Sequence, residues 1–240
     1  MNTGIFFIKK SNRKYMEDKI NDSWLEINSG GALPVMSISE NLESNRIWFT
    51  ADSHFMHRNI IRLCNRPYST LEAMEEDMVR RWNLVVKEKD LVFFLGDFSM
   101  NMIAHKIFFL KLVFGKMVFI VCNHEKKNKL MANILSLNMS EKISVFNDLI
   151  LRYKDLSFFL THRPINARLD MPTLCGHVHE KWKYMGLGSI ISEGAPESRS
   201  FKSIKLRAPV LNVGVDQFDF CPVSLNSILA EFDFKDDVSC

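Results

Sequence analysis

Five short apolar runs in this chain each end on residue types that bind metals. Asp52 and His54 follow IWFTA, Asp97 follows LVFFLG, Asn123 and His124 follow MVFIVC, His162 follows LSFFLT, and His177 and His179 follow TLCG. Runs this short, rich in Phe, Val, Leu and Ile and bounded by polar turns, read as strands buried on both faces. Helical patterns separate the first three, which predicts an α/β chain with a largely parallel or mixed sheet. In such sheets, side chains just beyond successive strand ends meet in one crevice. The pattern therefore predicts one cluster drawn from positions 52 to 179.

A chain of 240 residues, 47% hydrophobic, suffices for one full-sized domain with a large core, since single α/β domains reach roughly 200 to 250 residues. Basic residues number 31 against 28 acidic, a net charge of only +3. That lacks the polycationic signature of a dedicated nucleic-acid binder, so nucleic acid is a possible substrate but not an indicated partner. Cys64, Cys122, Cys175, Cys221 and Cys240 are odd in number and without C-x-x-C spacing, which points to a reducing compartment and a cytoplasmic location. The most apolar stretch, 107 to 121, is cut by Lys111, Gly115 and Lys116 and falls short of the roughly 20 residues a membrane span needs. The IFFI segment near the start runs straight into basic, polar sequence and does not read as a secretory signal.

Residues 1–45 read as an N-terminal extension packing on the core, with IFFI a candidate edge strand. Residues 46–240 read as one domain. Strands are expected at 46–51, 91–95 and 117–121, and helices near 59–63, 70–88, 101–113 and 126–137. Ser69 and Glu72 have capping-box spacing at the start of the second helix, and Leu71, Met74, Met78, Val79, Trp82, Val85 and Val86 recur at helical spacing. Shorter runs at 143–146, 149–153, 156–160, 173–175 and 210–213 make the second half look more antiparallel. Residues 181–209 have no dominant period and read as a loop or flap beside the last of the ligand-type residues.

Asp52-Ser53-His54 and His177-Val178-His179 each bring two ligand types two residues apart, which in extended chain returns both side chains to one side. With Asp97, Asn123 and His162 they make seven oxygen and nitrogen donors, enough for two ions that each keep an open position. Such mixed sets suit Mn, Fe, Ni or Zn better than a closed structural zinc site. Two ions about 3.5 to 4 Å apart can share a carboxylate and a hydroxide and clamp a phosphoryl centre. The chemistry implied is phosphoester hydrolysis, with His124 as general acid for the leaving oxygen.

The set Asp52-x-His54, Gly96-Asp97, Asn123-His124-Glu125, His162 and Gly176-His177-x-His179 resembles the signature of the calcineurin-like metallophosphoesterase superfamily. The resemblance runs from Arg46 to about Val215. It implies a β-sandwich of two mixed sheets flanked by helices. It implies one metal on Asp52, His54, Asp97 and His179, and a second on bridging Asp97, Asn123, His162 and His177, with His124 serving the leaving group. The stretches HFMHRNIIRLCNRPYS, GDFS and NVGVDQFDFCPVSL resemble small bacterial and phage-type phosphoesterases.

One departure is Cys122, where the family has Gly. If the position demands a positive φ, the side chain costs roughly 1 to 2 kcal/mol of strain and tilts Asn123. Otherwise Cys122 is a small buried residue ending a strand, or a thiol whose oxidation inhibits the site. Among substrate-binding candidates, His57 and Asn59 either reach the substrate or pack locally, and Arg58, Arg66 and Arg163 are candidate phosphate forks, Arg163 preferred because it follows His162. His105 reads as structural.

The expected activity is a dinuclear, metal-dependent phosphodiesterase acting on small or nucleotide-derived phosphodiesters, with Mn2+ the expected metal. The alternatives are a phosphomonoesterase or protein phosphatase, a nuclease, and a noncatalytic scaffold of the same fold. The complete ligand set and His124 favour the enzyme.

Overall fold

Apolar runs pair edge to edge into two mixed sheets in the computed structural model of this chain, which describes residues 25–28, 33–122 and 127–236. The smaller sheet has four parallel neighbours: β3 (Ile47–Thr50), β4 (Leu91–Phe94), β5 (Lys116–Ile120) and β6 (Ile143–Phe146). The short strand β14 (Val223–Ser224) adds to β3 antiparallel. The larger sheet runs in the order β1 (Leu25–Asn28), β2 (Val35–Ile38), β7 (Leu149–Tyr153), β8 (Leu156–Leu160), β9 (Thr173–Cys175), β13 (Val210–Asn212) and β10 (Tyr184–Met185). Within it β8, β9 and β13 run parallel, β7 runs parallel to β2 but against β8, and β10 runs against β13.

The two sheets share one core. Phe49, Phe93 and Val118 of the smaller sheet pack in the same apolar cluster as Met36, Leu151, Leu160, Leu174 and Leu211 of the larger one. The alternate residues Phe94 and Phe119 turn to the other face, against Met74, Met78 and Trp82 of helix α2 (Leu71–Val85) and Phe108 and Phe109 of helix α3 (Met102–Lys111). Each strand of the smaller sheet is thus covered on both sides, which is why β4 is apolar at all four positions and fully buried. The remaining helices are α1 (Asn59–Leu63), α4 (Lys127–Ser136) and α5 (Leu225–Asp236). Helix α2 begins one residue later than the capping-box reading implied. Thr70, not Ser69, is the N-cap, its hydroxyl accepting from Ala73 N at 3.1 Å.

Two expectations change. Met36 and Ile38 in β2 are buried in the inter-sheet core, so residues 35–38 are a strand of the larger sheet; the IFFI segment lies outside the described residues. Residues 181–209 are not a plain loop, because β10 joins the larger sheet and β11 (Ile190–Glu193) pairs with β12 (Lys202–Lys205) as a separate ribbon. The ribbon escaped the sequence because it is mostly exposed; its anchors are Ile191 and, just past it, Leu206, buried with Ile165, Cys175 and Val210. Among the described residues no helix is long and apolar enough to cross a membrane.

Candidate metal centre

Six parallel strands end at one edge of the molecule, and a ligand-type side chain lies just beyond each: Asp52 after β3, Asp97 after β4, Cys122 after β5, His162 after β8, His177 and His179 after β9, and Asp216 after β13. Backbone hydrogen bonds tie these loops together. Asp52 N donates to Gly96 O at 3.0 Å, His54 N to Asp97 O at 3.0 Å, Gly176 N to His162 O at 3.1 Å and Val215 N to Ala51 O at 3.1 Å.

The loops do not continue the strands in extended form, as the two-residue spacing suggested. Asp52, His54, Asp97, His177 and His179 all adopt left-handed backbone, with φ of 60°, 53°, 54°, 74° and 50°. Non-glycine residues there cost energy, and the cost is tolerated where surrounding contacts over-determine a functional geometry. Asp52 illustrates such contacts. Its carboxylate accepts from His177 N at 3.0 and 2.9 Å. Gly176 and Gly214 crowd it so closely that a Cβ at either would lie 2.7 or 2.6 Å from its Oδ2.

Asp52, His54, Asp97 and His179 come together as one group of potential ligands, their donor atoms all within 4.8 Å of one another. Asp97, Cys122 and His162 form a second group, and Asp97 belongs to both. The Nε2 atoms of His54 and His162 lie 3.5 and 3.3 Å from the same oxygen, Asp97 Oδ2. These are ion-pair distances outside hydrogen-bond geometry, and both nitrogens are buried without a hydrogen-bond partner. Buried polar atoms of this kind demand an explanation. Each is aimed by what its ring's other nitrogen meets: His162 Nδ1 lies 2.7 Å from Leu95 O, and His54 Nδ1 lies 3.3 Å from His57 Nδ1. In the neutral ring, donation from His162 Nδ1–H to the carbonyl leaves Nε2 as a bare acceptor, the tautomer that binds cations.

The local fields follow from this packing. Burial raises the pKa of Asp52 despite the imidazoles of His179 and His162 nearby. Burial also works against ionisation of Asp97, but His162 and His54 hold it well below the usual carboxylate range. The buried His162 is lifted to about 9 by Asp97 and Asp52. His177, half-buried and beside His162, falls to about 4.

Several candidates sit elsewhere than expected. Cys64, His179 and Asp216 form a third group, and His177 is gathered into none of the three; its Nε2 faces Glu193 of the β11–β12 ribbon at 3.4 Å. Asn123 and His124 lie outside the described residues. Cys122 does not have left-handed backbone, so the anticipated strain is absent there. Its thiol points into the site, donating to Asp97 Oδ1 at 2.7 Å. His57 lines a cavity of about 360 Å³ with His54, Asp97, His177 and His179, whereas Asn59 is exposed and not part of that wall. Arg163 lines a second, polar cavity of about 400 Å³ with Cys122, Lys127, Asn147 and His162, and is ion-paired to Glu193. Arg58 is exposed beside Glu72, and His105 is fully buried and stacked on Phe98.

Arg66 is not a phosphate fork, because its side chain is fully buried and committed to Asp216 at 2.8 and 2.9 Å. Asp216 in turn lies 3.3 Å from His179 Nδ1. It was missed in the sequence, although it follows the apolar run VLNVGV as the other ligand types follow theirs. That rule, extended to β13, would have found it.

No family model matches the chain. The uncharacterized protein MJ1445 of Methanocaldococcus jannaschii is 31% identical over 193 residues, covering 78% of this chain and 92% of that protein. The chain belongs to the MJ1445 family. The crystal structure of a protein of unknown function, AQ665 from Aquifex aeolicus, matches with a TM-score of 0.52 and 20% identity over 77% of this chain and 98% of that one. That likeness covers the fold: the MJ1445-family chain is mixed α/β with two multi-stranded sheets.

Proposed function

We propose that this protein is a dinuclear metal-dependent phosphoesterase with the metallophosphoesterase-type sandwich, hydrolysing small or nucleotide-derived phosphodiesters. The observation that carries the reading is Asp97 with the unpartnered, buried Nε2 atoms of His54 and His162 converging on one of its oxygens. A carboxylate shared between two imidazole-bearing groups is what two neighbouring divalent cations require. Asp52, His54, Asp97 and His179 would hold one ion, and Asp97, His162 and residues beyond β5, Asn123 among them, the other. Mn2+ is the first choice, with Fe, Ni and Zn as alternatives for such mixed donors. When bound, the ions supply Lewis-acid polarisation of the phosphoryl centre and activation of water.

The chain's own residues do the rest. Asp216 and the Leu95 carbonyl fix the rings of His179 and His162, so little reorganisation accompanies loading. Gly176 and Gly214 leave room for Asp52 and keep it fixed. Lys127 and Arg163 line the polar cavity together with Asp148, and Arg163, released from Glu193, would offer a fork to an anionic phosphoester. His124 is the proposed proton donor to the leaving oxygen. A cytoplasmic location belongs to the same proposal, since Cys64, Cys122, Cys175 and Cys221 are all unbridged thiols.

The test compares bis-p-nitrophenyl phosphate with p-nitrophenyl phosphate, using metal-stripped protein resupplied with Mn2+ and His124→Ala as control. Faster, metal-dependent diester cleavage that drops in His124→Ala is expected. A monoester preference would shift the assignment to a phosphatase, and absence of turnover in the loaded protein would overturn the enzyme reading.

A further inference from the structure

We propose that Cys122 is a thiolate ligand of the second cation position, making it a mixed oxygen, nitrogen and sulfur site that takes Zn2+ or another borderline-soft ion in preference to Mn2+. The inference rests on the reading of Asp97 and His162 as a cation site, and it replaces Mn2+ as the first choice at that one position only.

Three observations carry it. The Cys122 sulfur, an Asp97 oxygen and a His162 nitrogen lie within 4.8 Å of one another, and Sγ is 2.7 Å from Asp97 Oδ1. The His162 side chain is only 4% exposed, and its Nε2, on the far oxygen of the same carboxylate, has no hydrogen-bond partner. Cys122 itself is 7% exposed and lines the polar cavity that also holds Lys127, Asn147 and Arg163. A donor set facing a solvent-accessible cavity fits the catalytic zinc pattern of three protein ligands and one open position. A carboxylate–imidazole set without sulfur discriminates weakly among divalent ions, whereas a thiolate adds selectivity for softer ones. On coordination the Cys122 Sγ–H proton leaves to solvent, because a coordinating thiol is deprotonated outright. The ordinary backbone at Cys122 lets the side chain take this position without strain.

Co2+ serves as the probe, since its thiolate complexes absorb by ligand-to-metal charge transfer and its nitrogen and oxygen complexes do not. Wild-type protein, Cys122→Ala, Cys122→Ser and Cys64→Ala are loaded with Co2+, bound metal is counted, and folding is checked by circular dichroism. Cys64→Ala is included because Cys64 lies within 4.8 Å of His179 and Asp216 donor atoms. The charge-transfer band should appear in wild type, persist in Cys64→Ala and vanish in both Cys122 variants. The Zn2+ over Mn2+ affinity ratio should fall about tenfold or more in Cys122→Ser. Bound Co2+ with no thiolate band, or a band that survives Cys122→Ala, overturns the thiolate while leaving the metal site standing. Failure of wild-type protein to bind Co2+, Zn2+ or Mn2+ overturns both.

Discussion

Arg66 grips the Asp216 carboxylate with two hydrogen bonds, at 2.8 and 2.9 Å, and neither side chain is more than 2% exposed. The same guanidinium donates to the backbone carbonyls of Asp52 at 2.7 Å and Ser53 at 3.0 Å. One arginine thus ties the loop after β3 to the loop after β13, while Asp216 holds His179 from behind. A planar fork with several fixed donors is needed for this, and lysine cannot reproduce it.

Removing one partner leaves a buried charge. Arg66→Met should therefore destabilise the protein by about 3 to 5 kcal/mol, read as a shift of the denaturant midpoint. Asp216→Asn should lower divalent-metal affinity about 10- to 100-fold through loss of His179 orientation, measured by metal titration. Unchanged affinity in a folded Asp216→Asn protein would deny Asp216 that role.

Gly214 has φ of −59°, which any residue adopts, so only space forbids a side chain there. A Cβ would lie 2.6 Å from Asp52 Oδ2 and 2.9 Å from Asn212 Oδ1. Gly214→Ala should cost about 1 to 3 kcal/mol by overpacking and still fold, while displacing Asp52 and weakening metal binding. Crystallography of the variant, with metal titration, would show whether the carboxylate moves.

Protonation gives a signed prediction. Burial acts to discharge both imidazoles, yet Asp97 lifts His162 to about 9, and Asp216 with Cys64 lifts His179 to about 10. Groups raised on folding stabilise fully below their unfolded pKa, near 6.5, and that contribution is lost as pH rises through the folded values. Metal-free protein should therefore lose stability between about pH 6.5 and 10. Metal loading requires neutral imidazoles, so loading at pH 8 should release protons into weakly buffered solution. Metal-free stability that is flat over this window, or loading without proton release, would contradict the assigned pairs.

The strand ends were legible because each buried strand spends its apolar residues before a polar ligand type, as in LVFFLG before Asp97 and LSFFLT before His162. The runs at 143–146, 149–153, 156–160 and 173–175 reappear as β6 to β9 with the same limits. Less visible was the backbone that aims the ligands. Left-handed φ at Asp52, His54, Asp97, His177 and His179 arises from tertiary contacts and from close glycines, and no residue type in those positions announces it. Arg66 and Asp216, 150 residues apart, could not be paired from sequence, where Arg66 is one of three candidate phosphate forks with Arg163 preferred. The β11–β12 ribbon was hidden because exposed strands lack apolar alternation, although its Glu193 reaches both Arg163 and His177.

Asp97 is proposed to be shared by two cations. The direct measurement is metal stoichiometry by elemental analysis in wild-type and Asp97→Asn protein, each stripped and reloaded with Mn2+ or Zn2+, alongside diester hydrolysis. Wild type should hold two ions per chain and Asp97→Asn less than one, with loss of metal-dependent turnover in the variant. Two ions retained with full activity in Asp97→Asn would contradict it.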